Sequence, residues 1–403
     1  MNFEKKINIC LLIFFLITII ISVKFIWQKD KWSPIDEYAH MDYIEKMGDG
    51  VMPKLNYEIS NEIYDDLIQH PSRSFTPAIH NREELGMGNY SYQAKHPPLY
   101  YSILVIPNII LKKLGYDVFE RLKILRLISY FLFVLGAFIC IPIFKLLNQN
   151  GFIIPQHYSV ACVLFCLVVI THQRYGLTNN MLSPLLINAS FFFILKYHLT
   201  KNIKHLYLFL LVSGMSICAA LTNVFIVPFL LLYALIIYWP NFSFKTFLSS
   251  ILILLIPSLI IVWWKLVTIP NKDFEDFIQN LLLATIPANT ISFKIFLDLL
   301  LNDSFQLSFI NNNLDVSKIY VGLFIINISV CLIFFKTLIK EHIWILLSLC
   351  VFTIFVFNLY LLNLYVARVH WVALRNYLGF LPILFISCSA FIVVISKKIF
   401  NKN

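Results

Sequence analysis

The chain of 403 residues is 59% hydrophobic and 16% aromatic, with only 13% charged side chains, against about 25% in an ordinary soluble domain. Its apolar residues come in blocks of about 20, the length that crosses a bilayer as helix, which excludes a soluble enzyme, a secreted disulfide scaffold and a nucleic-acid binder. The formal net charge of +10 comes from lysines spread among loop ends rather than gathered on one surface, so it reads as a topology signal.

Residues 7–27 form the first apolar block, preceded by Lys5 and Lys6. The block is too long for a signal-peptide core and no small-residue cleavage site follows, so an uncleaved span is expected. A polar stretch from Gln28 to about Pro98 comes next and holds 12 of the chain's 22 acids and four of its ten histidines. Any chemical centre is expected there.

Further apolar blocks at 127–147, 157–175, 179–197, 206–222, 223–239, 247–267, 318–335, 343–363 and 373–396 bring the expected number of spans to ten. The stretch 206–239 reads as either two tight spans or one long kinked one. With the N-terminus in the cytoplasm, Lys145, Lys196, Lys201, Lys204, Lys245, Lys336, Lys340 and the tail lysines Lys397, Lys398 and Lys402 all fall on the cytoplasmic side, as the positive-inside rule requires. The fold expected is an all-α polytopic protein of the cytoplasmic (inner) membrane, one transmembrane domain over 1–403 with both termini cytoplasmic. A large first extracytoplasmic loop (28–98) carries interfacial helices, and a second outer loop covers 268–317.

Residues 97–111 resist this scheme. They are apolar but short, contain Pro107 and end at Lys112 and Lys113. A span there would place the lysine-rich loop near 200 and the basic tail outside, so the segment is expected to lie along the outer interface. The basic run from Lys112 to Arg126 points the other way, to eleven spans. All eight cysteines lie inside apolar runs, where the thiol is a small hydrophobe, and no disulfide or zinc framework is visible.

No acid occurs between Glu120 and Asp273. Ion-coupled transporters carry ionisable groups within their spans, so this gap weighs against one, though not against a passive flippase. Just past the first span comes W-S-P-I-D-E-Y-A-H, Trp32 to His40. Pro34 suits the first turn of a helix, Asp36 and Glu37 its positive end, and Tyr38, Met41, Ile44 and Met47 recur at helical spacing, so a short amphipathic helix on the membrane surface is expected.

The plain reading is that the two acids complement the helix dipole and that His40 is a surface or capping residue. The chemical one is that Asp36 or Glu37, partly desolvated at the membrane surface, is a general base. Asp36, Glu37 and His40 also fall within one turn, where a divalent cation is an alternative. Further ligands at fixed spacing are lacking, so no metal site is assigned.

Y-Q-A-K-H-P-P-L-Y-Y, residues 92–101, carries a stiff Pro97-Pro98 pair that leads from the polar loop into the interfacial segment. Tyr92, Tyr100 and Tyr101 read as an aromatic-belt anchor, and Lys95 and His96 as groups that meet a lipid phosphate. Arg368, His370 and Arg375 sit around the outer end of the last block. An arginine at that depth is either snorkelling or paired, and a lipid-carrier phosphate matches its bidentate geometry.

These residues together resemble the GT-C superfamily of polytopic glycosyltransferases, and within it a bacterial integral-membrane branch related to protein O-mannosyltransferases and aminoarabinose transferases. The branch pattern P-x-D-E-x-x-H followed by G-x-x-P resembles Pro34, Asp36, Glu37, His40 and Gly50 to Pro53, and its P-P-L-Y-Y element resembles Pro97 to Tyr101. Arg126 with Ile128 and Ser129 is similar to an R-x-x-S opening of the next span. Asn179 and Asn180 stand where the branch has N-x-D, with Met181 at the acidic position, and Leu221 to Asn223 resembles an L-T-K element with its lysine replaced. Ser304-Phe305 and Arg375-Asn376-Tyr377 are similar to an S-F-W and an R-Y element.

The resemblance implies transfer of a sugar from a polyprenyl-phosphate carrier to a lipid, glycan or protein acceptor on the outer face, by inverting displacement. It makes Asp36 the catalytic base, with Glu37 the competing candidate; His40, Lys95, His96, Tyr100, Arg368 and Arg375 are the residues expected to contact the substrate and the lipid phosphate. The implied partners are the carrier-linked sugar, the acceptor and membrane lipids, with no nucleic acid and no assigned cofactor. A glycolipid flippase and a surface-polysaccharide polymerase or ligase are the alternatives that the span count and outer arginines also suit.

Overall fold

The computed structural model describes residues 3–32, 37–54, 58–70, 92–150, 176–220, 223, 227–239 and 243–268. These residues are helical, with no strand among them, and three of their helices are long and apolar enough to cross a membrane: Val118–Gln149, Asn179–Thr200 and Phe244–Thr268. The apolar blocks expected at 157–175, 318–335, 343–363 and 373–396, and the second outer loop, lie outside the described residues.

Helix α1, Phe3–Gln28, contains the first apolar block. Its Leu12, Ile13, Phe14, Leu16, Ile17, Ile20 and Ile21 are exposed, as suits a helix bathed in lipid, and Phe15 turns the other way to meet Phe138 edge to face at 4.8 Å. Polar hydroxyls within it bond back along the helix, Thr18 to the Phe14 carbonyl and Ser22 to that of Thr18, which removes any unmet hydrogen-bonding group from the apolar environment.

Three short helices build the loop over one end of the membrane body. Helix α2 spans Glu37–Gly48, α3 spans Asn61–Gln69 and α4 spans Leu99–Lys113. At 15 residues α4 is roughly 22 Å long at 1.5 Å per residue, short of the roughly 30 Å hydrocarbon core. It packs along α2, presenting buried Tyr100, Tyr101, Leu104 and Asn108. A turn through Gly115, whose φ of 83° glycine adopts without a steric cost, leads to α5, Val118–Gln149.

Helix α5 starts nine residues ahead of the apolar block from which it was expected. Asp117 and Glu120 form a reciprocal capping box that nucleates it there. Its first turns therefore stand in the loop layer, and the basic run from Lys112 to Arg126 acquires a different meaning from a topology signal. Lys112, Arg121 and Arg126 are neutralised by Glu45, Asp49, Glu62 and Glu37.

Beyond α5 the body continues as α6, Ser183–Thr200, α7, Ile203–Ala219, α8, Val227–Tyr238, and α9, Phe244–Thr268. Helices α5 and α6 touch backbone to backbone at Gly136, where an added Cβ would lie 2.6 Å from the Leu185 nitrogen, and Asn188 donates to the Gly136 carbonyl at 3.0 Å. Small residues allow this close approach between helices in lipid.

The ambiguous stretch 206–239 is two helices. Asn223 bonds to Ser183 at the start of α6, and Tyr233 lies 2.8 Å from His198 near its end, so α8 runs alongside α6 after α7 has run the opposite way. Helix α9 then returns along α7, with Cys218 against the Pro257 carbonyl, and ends under the loop.

Candidate functional site

The loop is fastened to the body by one buried ion pair. Arg126 on α5 donates from Nε to Glu37 Oε1 at 2.8 Å and from Nη2 to Oε2 at 2.6 Å, the parallel two-bond geometry open to arginine but not lysine. Both side chains are fully enclosed. The Leu177 amide adds a third bond, to Glu37 Oε1 at 2.7 Å, and the guanidinium also donates to the carbonyls of Lys29 and Lys31. Four stretches of chain thus meet at one neutralised pair: the exit of α1, the start of α2, α5 and the run into α6.

Asp36, the first candidate base, lies outside the described residues, immediately before Glu37. Glu37 itself sits at the first residue of α2, where a negative charge suits the helix dipole, but its main partner is Arg126. Helix α2 was expected to lie on the surface with one apolar stripe, whereas eight of its 12 residues are buried, Glu37, His40, Asp42 and Glu45 among them. The polar side is covered because it is paired. Asp42 accepts from Lys46 at 2.8 Å and from the Ser60 amide at 2.9 Å. Glu45 meets Arg121 and Lys112, and Arg121 reaches on to Glu62 at 2.6 Å. Burial pulls the Lys112 ammonium down, but its bonds to Asp49 and Glu45 leave it above the ordinary lysine value.

His40 is not a surface residue. It is 1% exposed, its Nδ1 lies 2.9 Å from the Tyr101 hydroxyl, and the two rings are stacked. Nor do Tyr100 and Tyr101 form an aromatic belt, since both are wholly buried. Tyr100 shares a hydrogen bond of 2.8 Å with Ser129 on α5, and desolvation pushes its phenol well above the ordinary value. Tyr101 also stacks on Tyr43 at 3.8 Å between centroids. The Pro-Pro turn aims these rings inward because α4 lies flat on α2, so that its apolar face meets protein instead of headgroups.

His96 is half-buried. Its carbonyl accepts from the Tyr43 hydroxyl at 3.2 Å, and that hydroxyl accepts in turn from Trp264 Nε1 on α9 at 3.1 Å. Lys95 ends the short 3₁₀ turn Tyr92–Lys95, with its side chain outside the described part. Arg368, His370 and Arg375 lie outside the described residues, as do Ser304, Phe305 and the Asp273 to Glu275 segment. The structure therefore brings Glu37, His40, His96 and Tyr100 into the layer formed by α2, α4 and the turn that precedes α4.

A second polar group lies against the same ion pair. Asn179 and Asn180, in the 3₁₀ turn Asn179–Met181, are buried with Met181. Asn179 donates to the Ala219 carbonyl at 3.4 Å, and Asn223 donates to Ser183 Oγ at 3.1 Å and to the Ser216 carbonyl at 2.7 Å. The positions where the chain departs from the resembled pattern thus sit together at the loop-side ends of α6 and α7.

Sequence reading missed Arg121, Tyr43 and Trp264. Arg121 is buried on a face that the sequence shows only as part of a basic run, and Trp264 closes an apolar block where tryptophan ordinarily marks the membrane interface. Among the described residues no three histidine, cysteine, aspartate or glutamate side chains lie together as a metal centre. No family model, no curated protein and no solved structure matches the chain.

Proposed function

We propose that the chain is a GT-C-type glycosyltransferase of the cytoplasmic membrane, with about ten spans and its loop 28–98 on the outer face. In this reading it moves a sugar from a polyprenyl-phosphate carrier to a cell-envelope acceptor. The observation that carries the reading is the commitment of Glu37, the acid next to Asp36 in the sequence. Glu37 is consumed by Arg126 and the Leu177 amide, so that it fixes the start of α2 where the loop meets the ends of the membrane helices. Asp36 is then the acid assigned to chemistry.

The step is an inverting displacement. Asp36 takes the proton of the acceptor hydroxyl as the acceptor oxygen bonds to the anomeric carbon. The bond from that carbon to the carrier phosphate breaks, and the phosphate leaves with the electron pair. Lys95, His96, Arg368 and Arg375 are assigned to the departing phosphate. His40 and Tyr100, through Tyr101 and Ser129, keep the aromatic floor of the loop in place.

Mass spectrometry of envelope glycans and lipids from cells lacking the gene tests this. Loss of one sugar-sized mass increment, restored by the gene, is expected. An unchanged envelope rules the reading out.

A further inference from the structure

The turn between α6 and α7 lies at the end of the body away from the loop layer. Helix α6 starts on the loop side, at Ser183 beside Asn223, and its 18 residues run roughly 27 Å at 1.5 Å per residue. The turn is two residues long. Lys201 closes α6, and Asn202 caps α7 by accepting from the Lys204 amide at 3.1 Å. Among the described residues Lys201 alone, glycine aside, takes a left-handed backbone, with φ 54°. That conformation crowds a Cβ against the following carbonyl oxygen, and helix ends that need it ordinarily use glycine or asparagine. A lysine there is held at a cost in stability, and such strain gathers where a side chain serves a function.

The charge around this turn has one sign. Lys201 and Lys204 are exposed, and Lys196, half-buried, lies over the Phe192 ring at 4.9 Å, close enough to His205 to act on it electrostatically. No aspartate or glutamate occurs anywhere in α6 to α9, and among the described residues no carboxylate pairs with Lys196, Lys201 or Lys204. At the loop end, by contrast, the chain supplies its own acids to Lys112, Arg121 and Arg126. Towards the middle of the body the surface next to the lysines is apolar. Phe192 and Phe193 are half-buried, and Leu208 on α7 is 41% exposed. A fitting partner therefore carries negative charge at the level of the turn and hydrocarbon beside it. An anionic phospholipid has both, whereas inorganic phosphate lacks the hydrocarbon.

We propose that the α6–α7 turn docks the headgroup of an anionic phospholipid, with Lys201 and Lys204 on its phosphate and its acyl chains along Phe192, Phe193 and Leu208. Lys196 adds positive potential from behind. Lys201 and Lys204 are three residues apart across one tight turn, so two lysine side chains reach a single phosphate without any rearrangement of the fold. The site is independent of the glycosyltransferase reading and holds whatever reaction the loop end performs.

The test titrates the full chain, delipidated in detergent, with phosphatidylglycerol, phosphatidylcholine and inorganic phosphate, and reads bound lipid by native mass spectrometry. The native chain should bind phosphatidylglycerol more tightly than phosphatidylcholine. Lys201→Gly keeps the left-handed turn without a side chain. It should weaken phosphatidylglycerol about fivefold, as expected for one lysine at an anionic membrane surface, leave phosphatidylcholine unchanged, and raise the unfolding temperature. Lys201→Gln keeps the strained backbone and loses the charge, so it should weaken phosphatidylglycerol equally at unchanged stability. Lys201→Arg should bind as the native chain does, and so should Lys24→Gln, which removes an exposed lysine at the loop-side end of α1.

Native-like binding of phosphatidylglycerol by Lys201→Gly or Lys201→Gln overturns the site and leaves these lysines as topology signals. A native chain that binds the two lipids equally does the same. Displacement of phosphatidylglycerol by inorganic phosphate at comparable concentration overturns the lipid as partner in favour of a soluble anion.

Discussion

Glu37 and Arg126, 89 residues apart in the chain, form a fully buried two-bond ion pair between the start of α2 and the third turn of α5. Taking both charges from water is costly, and their attraction offsets this only while the geometry is complete. Removing one partner leaves an isolated buried charge. Glu37→Gln and Arg126→Gln should each destabilise the protein by about 3–5 kcal/mol, read as thermal unfolding in detergent. The double variant should lose much less than the sum of the two. Additive losses would mean that the pair is not coupled.

Exposure ranks the second network. Glu45 and Glu62 both meet Arg121, but the Glu45 side chain is 4% exposed and that of Glu62 is 50% exposed. Solvent screens the outer pair, and exposed pairs contribute only about 0–1 kcal/mol. Glu45→Gln should therefore lower the unfolding temperature clearly, while Glu62→Gln leaves it nearly unchanged. Equal effects would contradict the placement of Arg121.

The Tyr43 hydroxyl joins α9 to the loop, accepting from Trp264 and donating to the His96 carbonyl. Tyr43→Phe keeps the ring stacked on Tyr101 and strands both partners, at about 1–3 kcal/mol for a buried group left unsatisfied. Cross-linking between α9 and α2 in native membranes should weaken in this variant, and unchanged cross-linking with unchanged stability would sink the link.

Asp66 gives a dependence on pH. Burial raises its carboxyl above the ordinary aspartate value, despite bonds from Trp32 at 2.8 Å and His70 at 3.3 Å. The folded protein then holds this proton to higher pH than the unfolded chain does, so between the two values the folded state binds more protons. Stability from this group is present below the ordinary aspartate value and is lost as pH rises through the raised one. Native protein should resist proteolysis after residue 70 better at the acid end of that window, and Asp66→Asn should abolish the difference.

Much of the architecture is readable from spacing. Apolar blocks gave α1, α6, α7, α8 and α9 to within a few residues, and the shortness and Pro107 of the segment at 97–111 gave α4 as a helix too short to span. Spacing failed where pairing across long distances decided the outcome. The acids of α2 look like a solvated face until Arg126, Lys112 and Arg121 cover them, and the tyrosines of α4 look like a membrane belt until α2 supplies a protein surface for them to face. Ser129 entered only through a resemblance, and Arg126 through that and as the end of a basic run. Their partners, Glu37 and Tyr100, belong to other segments that the resemblance also touched, and no local pattern joins them.

The most direct measurement of the central claim compares envelope glycans and lipids, by mass spectrometry, from cells lacking the gene that are complemented at matched membrane levels with the native chain or with Asp36→Asn. The native chain should restore a sugar-sized increment, and Asp36→Asn, though folded and present in the membrane, should not. Full restoration by Asp36→Asn would contradict Asp36 as the base and, with Glu37 already committed to Arg126, the transferase mechanism itself.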